Sequence, residues 1–441
     1  MGGTVSLLAG CLTGDDGSAA QPPKDSTSTP PNSKTPTQEN TPTEPSSQTA
    51  TDSPEKTETE PVESAVAGWP QFGGTSGNTF AVTGRSLPTT DFTEQWRKTF
   101  TKEKRTGDIA TEIVADGEYF YEITTQSDEE DVLRARSQID GTIEWEQSVN
   151  NYVYSSLAVS DGSVYVCGET FRSITATSGA VEWEIQGRAE QTVVNGGRLF
   201  VHRGNEQTQF AVLDASDGSV IWEKAVVSED FRGIHTPHAV AGGRVYVPVD
   251  LLHGNSAQPR IKAYGADSGE MEWNTPIEGT YPRMVATAEV VFAVTEKQLY
   301  ALDSSSGEML WKKRGESASM AHVDTTSLPA VHDSVAYATI GETLYALDVK
   351  TGTSNWNNPD STRPLHYVDG YLYGRSTNGV KVYDAATGSL ETEFAVTDRG
   401  YLKGDLIPLN EEVLVKATRT KRTDSGENLD EISLISLGGE R

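Results

Sequence analysis

The sequence predicts an all-β fold, an eight-bladed β-propeller, and three observations predict it. A glycine followed four residues later by a tryptophan recurs along the chain. The recurrence has a period of about 40 residues, and between copies lie short alternating strands bounded by Gly and Asp turns.

The Gly-to-Trp element occurs at Gly141/Trp145, Gly179/Trp183, Gly218/Trp222, Gly269/Trp273, Gly307/Trp311 and Gly352/Trp356. A further copy keeps Gly388 but carries Thr392 in place of tryptophan. Asp214, Asp303, Asp348 and Asp384 each stand four residues before their glycine. An aspartate opening a tight turn and a glycine at positive φ make a hairpin connection between short strands. Upstream of the turns lie strands such as LYALD at 299–303 and 344–348. Before those come a second turn and strand, as at Asp116-Gly117 before Tyr119 and Asp369-Gly370 before Tyr371.

Trp96 joins this series, and the spacings from it onward are 49, 38, 39, 51, 38 and 45 residues. Four short strands per repeat make a propeller blade. Seven complete units are followed by a last one, around 413–416 and 432–437, that lacks its own turn and tryptophan. Trp96, within 93–99, is a tryptophan strand without a preceding unit. Placing that N-terminal strand in the last blade closes a ring of eight and removes a free sheet edge. A ring of seven is the main competitor.

The chain before the propeller reads as address and tether. Leu7-Leu8-Ala9-Gly10-Cys11 is a lipobox, so residues 1–11 are expected to be a lipoprotein signal remnant, with lipid carried by Cys11. Residues 1–4 hold no basic side chain, so a basic segment, of twin-arginine or another export type, is expected upstream. The apolar run is too short to span a bilayer, which places the anchor in the lipid. Residues 12–64 are almost wholly Ser, Thr, Pro, Gln, Asn, Glu and Asp, with 10 acidic and 3 basic side chains. Such a segment buries too little apolar surface to offset its entropy, and it is expected to be a disordered linker. The propeller is then expected over 65–441, as a monomer on the outer face of the cell membrane.

The formal charge is −28, from 64 acidic against 36 basic residues. This balance speaks against nucleic acid, whose binding depends on basic side chains. It fits a host living in high salt, such as a halophilic archaeon, as well as an ordinary acidic secreted protein. Cys11 and Cys167 are the two cysteines, so the folded part can form no internal disulfide and no cysteine-rich zinc site.

The stretches LYALDVKTGTSNW (344–356) and LYALDSSSGEMLW (299–311) resemble the repeat of the PQQ-type β-propeller family. Trp69-Pro-Gln-Phe-Gly-Gly74 resembles the way many members begin. The resemblance covers about 370 residues, and it points to secreted lipoproteins of the BamB type. It implies that Trp96, Trp145, Trp183, Trp222, Trp273, Trp311 and Trp356 dock between neighbouring blades as structural residues. Thr392 is then expected to mark the loosest interface.

The same family contains quinoprotein dehydrogenases that hold PQQ and Ca²⁺ on the ring axis, with a vicinal disulfide against the quinone in many. No adjacent cysteine pair occurs here, and neither PQQ nor Ca²⁺ is expected. Ser-His-Asp, phosphate-loop and dinucleotide motifs are also missing, so no catalytic residue is assigned. His235 and His238 are separated by Pro237 and would point to opposite faces of a strand, which gives packing or loop roles rather than a metal site. The acidic run 128–131 lacks the spacing of a calcium loop.

The beginnings of the innermost strands face one mouth of the channel. They bring Tyr152, Tyr154, His235, Arg283, His322, Arg363 and Lys403 toward one funnel, together with Asp108, Glu112, Gln191, His238, Tyr281, Asp324, His366 and Tyr401. Such a funnel suits a ligand or peptide, or else is a water-filled mouth. The expected function is a lipid-anchored, non-enzymatic binding or scaffold module for a protein partner at the cell envelope. The alternatives are a PQQ- and calcium-dependent dehydrogenase, or a sensor that binds a ligand or polysaccharide.

Overall fold

Alternating apolar residues between Asp/Gly turns fold each repeat into a four-stranded antiparallel sheet whose strands pair in chain order. Our computed structural model describes residues 68–440, apart from 103–111, 128–129, 150–155, 204–208, 226–236, 250–258, 280–281, 297, 315–326, 361, 363–364, 397–399 and 423–427. Every regular element among the described residues is a strand. Blades 1 to 7 span 113–148, 157–186, 189–225, 239–276, 283–314, 330–358 and 365–395.

Blade 8 is built from both ends of the chain. Its outer strand Thr93–Lys102 pairs with Asn428–Gly438, which pairs with Glu412–Arg422. Tyr401–Leu402 and Ile407–Pro408 complete its inner side. The ring has eight blades, closed by the N-terminal strand, and the seven-bladed alternative is set aside.

Within each blade the inner strands are buried and the outer one faces water. Val290–Val294 is buried throughout, whereas Met309–Arg314 of the same blade alternates between exposed and half-buried. The tryptophan lies on that outer strand. Its ring packs on the turn glycine of the next blade, and its Nε1–H donates to a carbonyl in that turn. The series runs from Trp96 to Gln138, Trp145 to Ala176, Trp183 to Ala215, Trp222 to Ala266, Trp273 to Ser304, Trp311 to Val349 and Trp356 to Ala385. Its distances are 2.8 to 3.2 Å.

The glycine serves two purposes at this contact. Its φ lies between 64° and 74° across the seven turns, a region that favours glycine. A Cβ on Gly307 would also stand 2.6 Å from the Trp273 ring. Seven interfaces, from blade 8 onto blade 1 through blade 6 onto blade 7, carry this clamp.

The interface between blades 7 and 8 has Thr392 and no clamp, but it is not bare. A strap from residue 84 to residue 92 fills it. Phe92 stacks on Phe394 with ring centroids 5.7 Å apart. The Tyr373 hydroxyl donates to the Pro88 carbonyl at 3.2 Å, and the amides of Gly84 and Arg85 donate to the Asp369 carboxylate at 3.0 and 2.6 Å.

The segment before the strap, Trp69 to Val82, closes one end of the channel. It walks around the axis and accepts an inner-strand amide hydrogen bond from blade after blade. Trp69 O receives Ala115 N–H, Pro70 O receives Val159, Ser76 O receives Val240, Gly77 O receives Ala286, Thr79 O receives Val331 and Phe80 O receives Tyr367. Blade 3 is held by a side chain, since Gln71 both donates to Val194 O and accepts from Val194 N–H. Blade 8 is reached by the strap, through Ser86 N–H to Asn410 O. Asn78, fully buried at φ 57°, donates to the carbonyls of His238 and Met284.

Two outcomes are expected. Trp222→Ala removes one clamp and should cost about 3–5 kcal/mol of stability, read by guanidinium unfolding in molar salt. Gly77→Ala would place a Cβ 2.0 Å from the Ala286 carbonyl oxygen, and it should lower the thermal midpoint although the change adds one methyl group. Unchanged stability of the Gly77 variant would contradict the central role given to this segment.

Candidate functional site

Because Trp69 to Val82 seals the ends of the inner strands, the channel keeps its open volume near their beginnings. A cavity of about 290 Å³ lies there. Phe72 of the sealing segment forms its floor. Its walls come from the first residues of the inner strands, or those just before them: Glu112 of blade 1, Ser156 of blade 2, Gln191 and Thr192 of blade 3, and His238 of blade 4. Asp405 of blade 8 completes them.

The cavity is lined by hydrogen-bonding groups that have no partner among the described residues. Glu112 Oε1, Gln191 Oε1 and Thr192 Oγ1 are buried and make no hydrogen bond within the described residues. Thr192 is only 3% exposed. Its amide donates to Ser156 Oγ at 3.2 Å, which fixes the backbone and leaves the hydroxyl toward the cavity.

Glu112 and Asp405 share this space, and burial dominates both. Burial, with the charge of Asp405 beside it, pushes the Glu112 carboxyl up to about 8, partly opposed by a hydrogen bond from the Leu157 amide. Asp405 is also raised by burial, against the pull of Arg375 and Arg283. Two carboxyl groups lining one cavity repel when both are ionised, which adds to the effect of burial on Glu112. The Cys167 thiol, buried nearby, is pushed up by the loss of solvent and by Glu112 and Glu190.

The channel-mouth residues expected from the sequence divide into two groups. Tyr152, Tyr154, His235, His322 and Arg363 lie outside the described residues, with Asp108, Tyr281 and Asp324, as does the lipidation candidate Cys11. Arg283 opens the inner strand of blade 5, half-buried, and acts on the cavity through its charge on Asp405. Lys403 lies two residues before Asp405 and its amide donates to Lys416 O. Glu112, Gln191 and His238 all reach the cavity. Asp405, Thr192 and Phe72 were missed, and nothing in their local sequence marks them.

His238 is fully buried, its ring 4.9 Å from Phe210 and 4.8 Å from His202. Burial drives it down to about 3 and holds His202 well below its ordinary value. His366 sits between Trp69 and Phe80 of the sealing segment and also falls to about 3. Among the described residues no cluster of three or more His, Cys, Asp or Glu is arranged to hold a metal ion.

Eight radial sheets, joined by tryptophan-on-glycine clamps around a sealed axis, define a repeat propeller of the PQQ type. The sequence profile of the family described as Outer membrane protein assembly factor BamB matches residues 87–233, 186–247 and 211–421, and the chain belongs to that family. Outer membrane protein assembly factor BamB of Yersinia pestis is 21% identical over 251 residues, which are 53% of this chain. The chain spans 60% of that relative's length.

Among solved structures, a quinohemoprotein alcohol dehydrogenase of Pseudomonas putida HK5 superposes with a TM-score of 0.58 at 15% identity, over 85% of this chain and 81% of that one. BamB from Moraxella catarrhalis superposes with a TM-score of 0.51 at 14% identity, over 78% and 98%. Both likenesses are of fold.

The buried titrating groups set a pH dependence for stability. The three histidines are neutral when folded, so the unfolded chain binds protons first, below about 6.5, and acidification destabilises. Glu112 keeps its proton up to about 8 when folded but only to 4.5 unfolded, so its contribution is lost as pH rises between those values. Denaturation midpoints measured from about pH 4 to pH 9 should peak near pH 6 to 7. Glu112→Gln should flatten the alkaline side alone.

Proposed function

We propose that this propeller is a non-enzymatic binding module that presents its rim to a protein partner at the cell envelope. The observation that carries the reading is a ring of exposed apolar side chains at one register. Two residues before five of the seven clamp tryptophans stand Ile143, Val181, Val220, Met271 and Met309, each 43 to 56% exposed. Leu390 holds the same place before Thr392, at 46%. Ile221 and Leu310 extend the patch on the outer strands of blades 3 and 5. A position that could be polar in every blade is apolar in six, and recurring exposed apolar surface marks contact with other proteins.

The family named for outer membrane protein assembly supports a role in holding other proteins, and the lipobox at Cys11 supports an envelope location.

The axial cavity favours this reading over a dehydrogenase. A quinone bearing several carboxylates would lie against the carboxyl groups of Glu112 and Asp405. The one cysteine in the described part, Cys167, is buried and unpaired, so no vicinal disulfide can lie against the ring. The residues present do not fit that cofactor pair.

Photo-crosslinking in the native cells tests the proposal. A crosslinker at Met271 or Met309 should give discrete adducts with one or a few envelope proteins. The same group at Glu223, on the outer strand but off the apolar register, should give none. Equal adducts at all three positions, or none at the apolar pair, would defeat it.

A further inference from the structure

We propose that the axial cavity binds a small primary ammonium compound, its N–H groups received by Glu112, Gln191 and Thr192 above the ring of Phe72. The inference rests on the cavity and is independent of the rim.

The cavity holds about 290 Å³, against a share of about 30 Å³ per molecule in liquid water, so it accepts a guest of several heavy atoms. What it offers such a guest is uneven. Glu112 Oε1, Gln191 Oε1 and Thr192 Oγ1 are buried without partners among the described residues, and they sit on two blades that converge on the axis. Two of the three can only accept, or accept once ionised. A buried acceptor left unsatisfied costs about 1–3 kcal/mol, so the site is built for a molecule that donates. An ammonium group donates three times from one atom, which suits three acceptors lining one cavity.

The floor points to the same class. Phe72 is the aromatic side chain of the lining, held edge-on against Phe80 with centroids 5.3 Å apart. An ammonium over an aromatic face gains cation–π attraction, more so where water is scarce. An alkyl chain behind the charged group would meet Val193 and Pro237.

The charges around Glu112 decide the pH dependence. Asp405 faces it from blade 8, with Arg375 and Arg283 acting on that carboxylate. The Cys167 thiol and the Leu157 amide face it from blade 2. The two arginines offset Asp405, which leaves Glu112 as the group that an incoming cation would ionise. Binding then releases one proton from Glu112 to solvent, and the affinity should rise with pH up to about 8.

The test is calorimetric titration of the full chain in molar sodium chloride with butylammonium, with acetate as the anionic control. Saturable heat is expected for butylammonium at pH 8.5, weakening about tenfold per pH unit below the Glu112 transition. Acetate should give none. Glu112→Gln should remain folded, bind at least tenfold more weakly and lose the pH dependence. Phe72→Leu should weaken binding a few-fold and keep the pH dependence. No saturable heat with the folded wild-type chain at pH 8.5 would overturn the proposal. So would acetate binding in preference to butylammonium, or an unchanged affinity in the Glu112 variant.

Discussion

The hydrogen bonds between the segment Trp69 to Val82 and the inner strands are the constraint on which the other contacts depend. Eight inner strands converging on an axis leave main-chain groups facing a narrow space, and buried groups of this kind must find partners. One short stretch of chain supplies them in sequence, roughly one blade for every one or two residues. Its composition follows from that task. Gly73, Gly74 and Gly77 allow close backbone approach, and Asn78 takes a left-handed conformation that asparagine tolerates. Phe80 takes one too, at φ 50°, which a bulky residue adopts at a cost. It stays there because its amide donates to Gly73 O, its carbonyl receives Tyr367 and its ring packs on Trp69, Phe72 and His366.

The clamps act at the circumference as the sealing segment acts at the axis. Each couples a large apolar burial to one directional hydrogen bond, so neighbouring blades are fixed in angle as well as in distance. The same geometry explains the place where it is missing. Blade 8 is assembled from the two ends of the chain, so it has no third-to-fourth-strand turn and no glycine for a tryptophan on blade 7 to meet. Thr392 stands there, and the strap with Phe92 supplies the packing instead.

Much of this was legible in the sequence. The glycine and tryptophan spacing gave the class, the blade count and the closure, because a repeat writes its local geometry once per period. The sealing segment was read only as a resemblance at Trp69 to Gly74. Its partners are scattered over the chain from Ala115 to Tyr367, and no local pattern records them. The cavity was half-read. Glu112, Gln191 and His238 fell out of the topology, since residues before an inner strand must face one mouth. Asp405 did not, because blade 8 breaks its inner strand into two short pieces and the period slips there. Thr392 marked an irregular interface, but its packing came from a strap that the repeat does not encode.

Closing the ring with the first strand has a consequence for the order of assembly. The strand Thr93–Lys102 is made before any of blades 1 to 7, yet its partner Asn428–Gly438 is made after all of them. The sealing segment is older still, and it needs every blade in place before its hydrogen bonds exist. Synthesis can therefore proceed through seven sheets with the two ends of the circle open, and contacts of such long sequence separation are slow to form. A nascent or truncated chain stays an open arc with an unsealed axis. Synthesis of the blade-8 strands becomes the event that locks the structure, so the ring and its seal form together rather than blade by blade.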